Sequence, residues 1–458
     1  MEGIAVEVLP VRLRALWRDL QDSLWLLPTL GVVAAIVLAQ VLVAVPAAWT
    51  ARLPGLLAYS GSPDGARTIL GELAGATFTV VGVVFSLTVV ALQMAASQFT
   101  PRILRTFLKD RSVQFVLSGM IGSGVFHVTV LRHVRTPDEG VSFVPDVAVS
   151  AALLLALMAV GLLVHFLHHL TSQLRVDVAM SGIRRQTLHL VEGLPLSRET
   201  LPDGPAPEPP PGAEVVTART SGYVQTVDLT LLARLAEQRG LAVLMRPRPG
   251  EWVAEGTTIA WAWVVETTDE EPAAGERDTG DTAADAVHRS FHLGGDRTEA
   301  DDIAFGIRQL VDIAVRALSP GINDPTTAVE AMAQLSSILV RLADRPLGAV
   351  VVTDDAGRVR AAQPRPSFGD CLDLALAQPR RYAASEPVVL VAILRLLVDV
   401  AERVADSADR ADAVRDQVRR TSDLAQLADP ADVAAIATWA DAVEATLAHG
   451  SRPAGLPA

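Results

Sequence analysis

Four apolar stretches fall within the first 170 residues, and each is near the ~20 residues that a helix needs to cross a bilayer. No other feature of the 458-residue chain restricts its fold as strongly. The first stretch runs from about Trp25 to Trp49 as WLLPTLGVVAAIVLAQVLVAVPAAW, with a tryptophan at each end where interfacial anchors sit. The second covers about 69–99, the third 113–131 and the fourth 147–167. A secretory signal is shorter, lies at the amino terminus and ends in small residues. Here an arginine-bearing leader precedes the first stretch, so the expectation is an uncleaved, multi-pass domain over residues 1–190.

Basic residues near the ends of spans set orientation. Arg12, Arg14 and Arg18 precede span one; Arg102, Arg105, Lys109 and Arg111 lie between spans two and three; Arg175, Arg184 and Arg185 follow span four. The two remaining loops hold Arg52 and Arg67, then Arg132 and Arg135. Ten positive charges against four place both termini, and everything after residue 170, in the cytoplasm.

Span two carries a polar stripe. Heptad steps from Glu72 give Thr79, Ser86, Gln93 and Thr100, and the positions three further on are Gly75, Gly82, Val89 and Ala96. Heptad positions drift only ~20° per repeat, so these residues share one slowly winding helix face. Two readings stay open. Small and hydroxyl residues let membrane helices pack closely. A line of neutral polar groups, with a carboxylate at one mouth and arginines at the other, also resembles a pore wall in an oligomer.

Composition removes several chemistries. Lys109 is the single lysine among 39 basic residues, and it lies in no setting suited to a phosphate-binding loop or to pyridoxal, biotin or lipoyl attachment. Cys371 is the single cysteine, so neither an internal disulfide nor a thiolate cluster can form. A formal net charge of −13 argues against general nucleic-acid binding. His165, His168 and His169 share a face at the end of span four, but no cysteine or acidic partner is expected beside them, Asp177 being two turns or more away. They read as interfacial rings, with no metal expected. His127 lies inside span three, one turn after Ser123. An ionisable group there is a functional candidate or a histidine bonded to a neighbouring helix.

The second half is expected to be a cytoplasmic α+β region. A proline-rich linker occupies 191–213. A small β-rich domain is expected at 214–266, with a hairpin turning at Ser221-Gly222. Its Gly250-x-x-Val253-x-x-Gly256 spacing is similar to the turn of biotinyl-lipoyl barrel-sandwich domains, although the modified lysine is absent and no cofactor is implied. Residues 267–286 read as a disordered acidic loop. A mainly helical domain follows over 287–450, opening with a strand, VHRSFHL, that holds His288 and His292. Thr298-x-x-Asp301 reads as a helix start. Ser319, Pro320, Gly321, Asn323, Asp324 and Pro325 form a sharp elbow between two helices. Asp324 suits the N-cap, Pro325 the first helical position, and Gly321 a positive φ.

The elbow ALSPGINDPTTA, the upstream Gly-Gly-Asp-Arg-Thr, and Gln98, Pro101 and Arg102 after span two resemble an uncharacterised bacterial family of predicted membrane proteins, domain of unknown function 2254. The resemblance covers nearly the whole chain. It implies a membrane protein of the bacterial inner membrane and supplies no catalytic residue. No nucleophile beside a base and no paired carboxylates stand out, so an enzyme is not expected. The expected fold is therefore an α-helical membrane protein, with four spans followed by the small barrel-sandwich-like unit and the helical domain. The expected function is an oligomeric channel or transport-like protein, in the lipid bilayer and with its own copies as partners. The alternative is a membrane-anchored sensor or scaffold whose cytoplasmic domain binds a ligand or protein.

Overall fold

A computed structural model describes residues 25–45, 59–98, 110–136, 142–173, 175–194, 207–265, 282–298, 302–424 and 429–456. Contacts divide the chain into two compact units, one within Leu16–Val178 and one within Ala179–Ala458.

The first unit contains α1 (Leu26–Val43), α2 (Pro63–Gln98), α3 (Arg111–Leu131) and α4 (Asp146–Gln173). All four are long and apolar enough to cross a membrane. Helix α3 touches the other three and is the interior one, with 61 % of its apolar window buried against 17 %, 17 % and 28 % for α1, α2 and α4. Small residues make that position possible. A Cβ on Gly31 of α1 would fall 2.2 Å from Ser118 Oγ of α3, and one on Gly119 would fall 2.6 Å from Leu162 of α4. Ser118 Oγ donates to Leu27 O at 2.8 Å, spending its hydroxyl inside that contact. Leu70, Phe126, Val130, Val149 and Ala152 fill one layer, and Val84, Val116, Met120 and Phe166 another. The outer faces stay apolar and uncovered: Val37, Val41, Phe85, Leu157, Val160 and Val164 are all exposed.

The second unit opens with α5 (Val176–Glu192), whose Met180, Ile183, Thr187 and Val191 are buried. Then come β1 (Glu214–Thr217), β2 (Gly222–Val227), α6 (Leu229–Glu237), β3 (Leu241–Met245), β4 (Trp252–Val253), β5 (Thr258–Val264), α7 (Ala283–Ser290) and β6 (Phe291–Gly294). Next follow α8 (Ile303–Ala317), α9 (Pro325–Ala343), β7 (Val350–Thr353), β8 (Val359–Gln363), α10 (Phe368–Tyr382), α11 (Pro387–Val404), α12 (Ala408–Ser422) and α13 (Pro430–His449). The strands form two open sheets, ordered β1-β5-β3-β8-β7 and β4-β2-β6. Helix α11 lies between α9 and α13 and buries Leu390, Ile393, Leu397 and Val400 among its core residues.

Several expectations need correction. Among the described residues the strands form no barrel sandwich, and those of the 214–266 segment do not pair only with each other. β3 runs parallel to β8, with Val243 beside Ala361, and β2 takes β6, with Val224 beside Leu293. The expected hairpin at Ser221-Gly222 is absent because β1 and β2 enter different sheets. The Gly250 and Gly256 turn is present, with both residues at positive φ of 77° and 78°. Residues 282–286 are not loop: Thr282 and Asp285 make a reciprocal capping box that starts α7. His288 is therefore helical, and only the Phe291–Leu293 end of the expected strand, with His292, is extended. Asp302, not Thr298, caps α8, accepting from Phe305 N at 3.1 Å. The leader, Arg52, Arg102, Arg105, Lys109, the linker from 195 to 206 and the acidic stretch 266–281 lie outside the described residues.

Candidate functional site

Helix α2 presents two opposite faces. Ala66, Leu70, Ala74, Thr77, Val84 and Ala91 are buried against the bundle. Glu72, Thr79, Ser86 and Gln93 are exposed, together with Gly75, Gly82 and Val89. A Cβ built on Gly75 or Gly82 would meet nothing within 4 Å, so among the described residues no other helix closes on this face at these glycines. Thr79 Oγ1 donates to Gly75 O at 2.9 Å, which satisfies its proton within the helix. From Glu72 to Gln93 the stripe extends about 31 Å at 1.5 Å per residue, close to the ~30 Å depth of a hydrocarbon core. Thr100, Pro101 and Arg102 lie outside the described residues, as does the Gln98 side chain.

The interior of the unit holds a second polar group. Ser123 and His127, one turn apart on α3, are both buried. His127 Nε2 lies 3.0 Å from Ala152 O of α4. Among the described residues, His127 Nδ1 and Ser123 Oγ have no hydrogen-bond partner, so one end of the ring is held by α4 while the other remains available for a polar contact. At the end of α4, His169 Nε2 meets Asp110 Oδ2, the N-cap of α3, at 2.5 Å, and the His165 and His169 rings stack at 5.9 Å. This corrects the expectation that no acid stands beside these histidines, because Asp110 is 59 residues away in sequence. Among the described residues, no three His, Cys, Asp or Glu side chains group closely enough to hold a metal ion.

The elbow is a capped turn. Asp324 accepts from Thr327 N at 3.1 Å and from Thr327 Oγ1 at 2.5 Å, and Pro325 begins α9. The Thr327 hydroxyl holds the Asp324 carboxyl below its ordinary pKa. Ser319 Oγ donates to Arg316 O at 2.6 Å. The left-handed conformation falls on Asn323, with φ 51°, and not on Gly321. Asparagine tolerates this region better than most residues. The backbone of the elbow is thus accounted for by capping, with Ser319, Pro320, Gly321, Asn323, Asp324 and Pro325 all near one turn.

In the second unit a cavity of about 280 Å³ has mainly apolar walls, including Leu194, Leu342 and Ala349, with Asp302, Arg365 and Cys371 among its lining. Asp302 Oδ2 accepts from Arg297 Nε at 2.6 Å, and positive-φ Gly250 leaves room for the pair, since a Cβ there would fall 1.8 Å from Asp302 Oδ2. Burial pushes the Asp302 carboxyl up, against the pull of Arg297. Burial also pushes the Cys371 thiol up to about 12, which leaves it protonated and a poor nucleophile.

Comparison with known proteins spans both units. The profile of the family described as predicted membrane protein (DUF2254) matches residues 21–399. Uncharacterized proteins from Mycobacterium tuberculosis strain H37Rv and from Mycobacterium bovis are each 37 % identical over 430 residues, covering 93 % of this chain and 81 % of theirs. No solved structure matches. With the four long apolar helices and the elbow both inside the matched region, the chain belongs to the predicted membrane protein family DUF2254.

Proposed function

We propose that α1–α4 cross the bacterial inner membrane with both termini in the cytoplasm, and that copies of the chain assemble with their α2 stripes toward a shared, hydrated axis. The protein would then act as a channel or transport-like oligomer, with the second unit as its cytoplasmic regulatory part. The observation that carries this reading is the exposure of Glu72, Thr79, Ser86 and Gln93 beside glycines open on the same face. A polar stripe of bilayer depth does not face lipid without cost, so it calls for protein or water beyond this single chain. The exposed Val, Leu and Phe side chains of the other outer faces suit hydrocarbon contact.

Thiol chemistry tests it. In a Cys371→Ser background, Thr79→Cys, Ser86→Cys and Gln93→Cys should react with a membrane-impermeant reagent, while Val81→Cys, Val84→Cys and Leu92→Cys should not. Equal protection of all six would refute the hydrated axis. Reporters fused after residue 180 and inserted near Gly61 check orientation: the first should be silent in the periplasm and the second active. Ion flux into proteoliposomes tests conduction itself.

The cavity lined by Asp302 and Arg365 favours a second reading, a membrane-anchored sensor whose second unit binds a small ligand. Its apolar walls with a few polar groups suit a ligand site. Protected stripe positions without flux would put this reading first.

A further inference from the structure

Several arginines of the second unit are spent on carboxylates: Arg219 on Asp285, Arg297 on Asp302, Arg358 and Arg360 on Asp354, and Arg420 on Asp373 and Asp416. That is the expected outcome in a chain with 52 acids and 39 bases. One groove gathers three that are not. Arg184 from α5, Arg341 from α9 and Arg403 from α11 line a single groove of about 430 Å³ with Leu188, Ser337, Val340 and Asp344. Among the described residues none of the three guanidinium groups makes an ion pair or hydrogen bond, although Asp344 shares the groove.

We infer that this groove binds a phosphate-type anion. Three cations against one carboxylate leave a net formal charge of about +2, which matches a phosphoryl dianion. The planar guanidinium fork donates two parallel bonds to a pair of phosphate oxygens, which an ammonium group does not. Holding three like charges on three different helices costs repulsion, which an anion relieves. The Ser337 hydroxyl, which donates to Ala333 O at 3.3 Å, also lines the groove, and the Asp344 carboxylate opposes the anion there. A soluble phosphorylated molecule and a phospholipid headgroup present the same chemistry. Ser337, Val340 and Arg341 of α9 and its C-cap Asp344 recur at helical spacing, but Arg184 and Arg403 come from elsewhere in the chain.

The test uses the full chain in a neutral detergent. Pyrophosphate and inorganic phosphate are titrated calorimetrically, with chloride at equal ionic strength as reference. Separately, the chain is reconstituted in nanodiscs of equal phosphatidylglycerol and phosphatidylcholine, and lipid carried through repurification is quantified. Arg341 and Arg403 are exposed, so the double variant Arg341→Gln, Arg403→Gln should keep the melting midpoint of the parent. Saturable pyrophosphate binding that weakens about tenfold or more in the double variant supports a soluble ligand. Enrichment of phosphatidylglycerol that disappears in the double variant supports a headgroup. Asp344→Asn should tighten whichever anion binds. Neither pyrophosphate binding nor lipid enrichment, or equal behaviour of parent and double variant, overturns the inference.

Discussion

Gly306 tests the packing that holds α5 on the rest of its unit. In an open helix, Gly→Ala stabilises by about 1 kcal/mol because glycine loses more backbone entropy on folding. Gly306 is not open: a Cβ there would fall 1.9 Å from Thr187 Oγ1 and 3.0 Å from both Thr187 Cβ and Cγ2. Turning the Thr187 side chain relieves the first contact but not the Cβ contact, and it breaks the bond from Thr187 Oγ1 to Ile183 O at 2.8 Å. Overpacking of this kind costs about 1–3 kcal/mol, so Gly306→Ala should destabilise by roughly 1 kcal/mol after the propensity gain. Thr187→Gly removes every atom in the clash. In that background Gly306→Ala should change sign and stabilise by up to about 1 kcal/mol, giving a coupling of about 2 kcal/mol across the cycle. Thermal midpoints of the four full-length proteins in detergent give the readout, at roughly 2–4 °C per kcal/mol for a domain of this order. A shift from Gly306→Ala of the same sign and size in both backgrounds would refute the contact.

Three further expectations concern stability. Asp324→Ala removes the α9 cap and should cost about 1 kcal/mol, with ion flux unchanged once assembly is checked; loss of flux at full stability would make the elbow a functional site. Arg410 donates to Ala343 O at 2.6 Å and Arg345 O at 2.8 Å, beyond the end of α9, and is 4 % exposed. Arg410→Met should therefore cost about 3 kcal/mol through unsatisfied buried carbonyls, read as a lowered urea midpoint. Asp354 is raised by burial, but bonds from Arg358 and Arg360 outweigh this and hold it at about 2. A depressed carboxyl stabilises the fold above its unfolded pKa of about 4, and the contribution is lost as pH falls through about 2. The midpoint gap between parent and Asp354→Asn should shrink across that window; a gap independent of pH would contradict it.

The sequence alone determined features carried by local periodicity and by side chains close along the chain. The four apolar helices, the α2 stripe and the Asp324–Pro325 cap were legible because hydropathy, heptad spacing and capping act over a few residues. The direction of the stripe was not legible, because exposure on α2 depends on where α1, α3 and α4 pack. Strand partnership was lost for the same reason: the β3 to β8 pairing joins Val243 to Ala361, and no local signal records which distant strand supplies the missing backbone hydrogen bonds. The histidine pair with Asp110, the cavity beside Asp302 and the meeting of Arg184, Arg341 and Arg403 are likewise tertiary. Charges on separate elements share a groove only after the cores of those elements have packed, and packing is driven by apolar burial that is indifferent to charge on the outer faces.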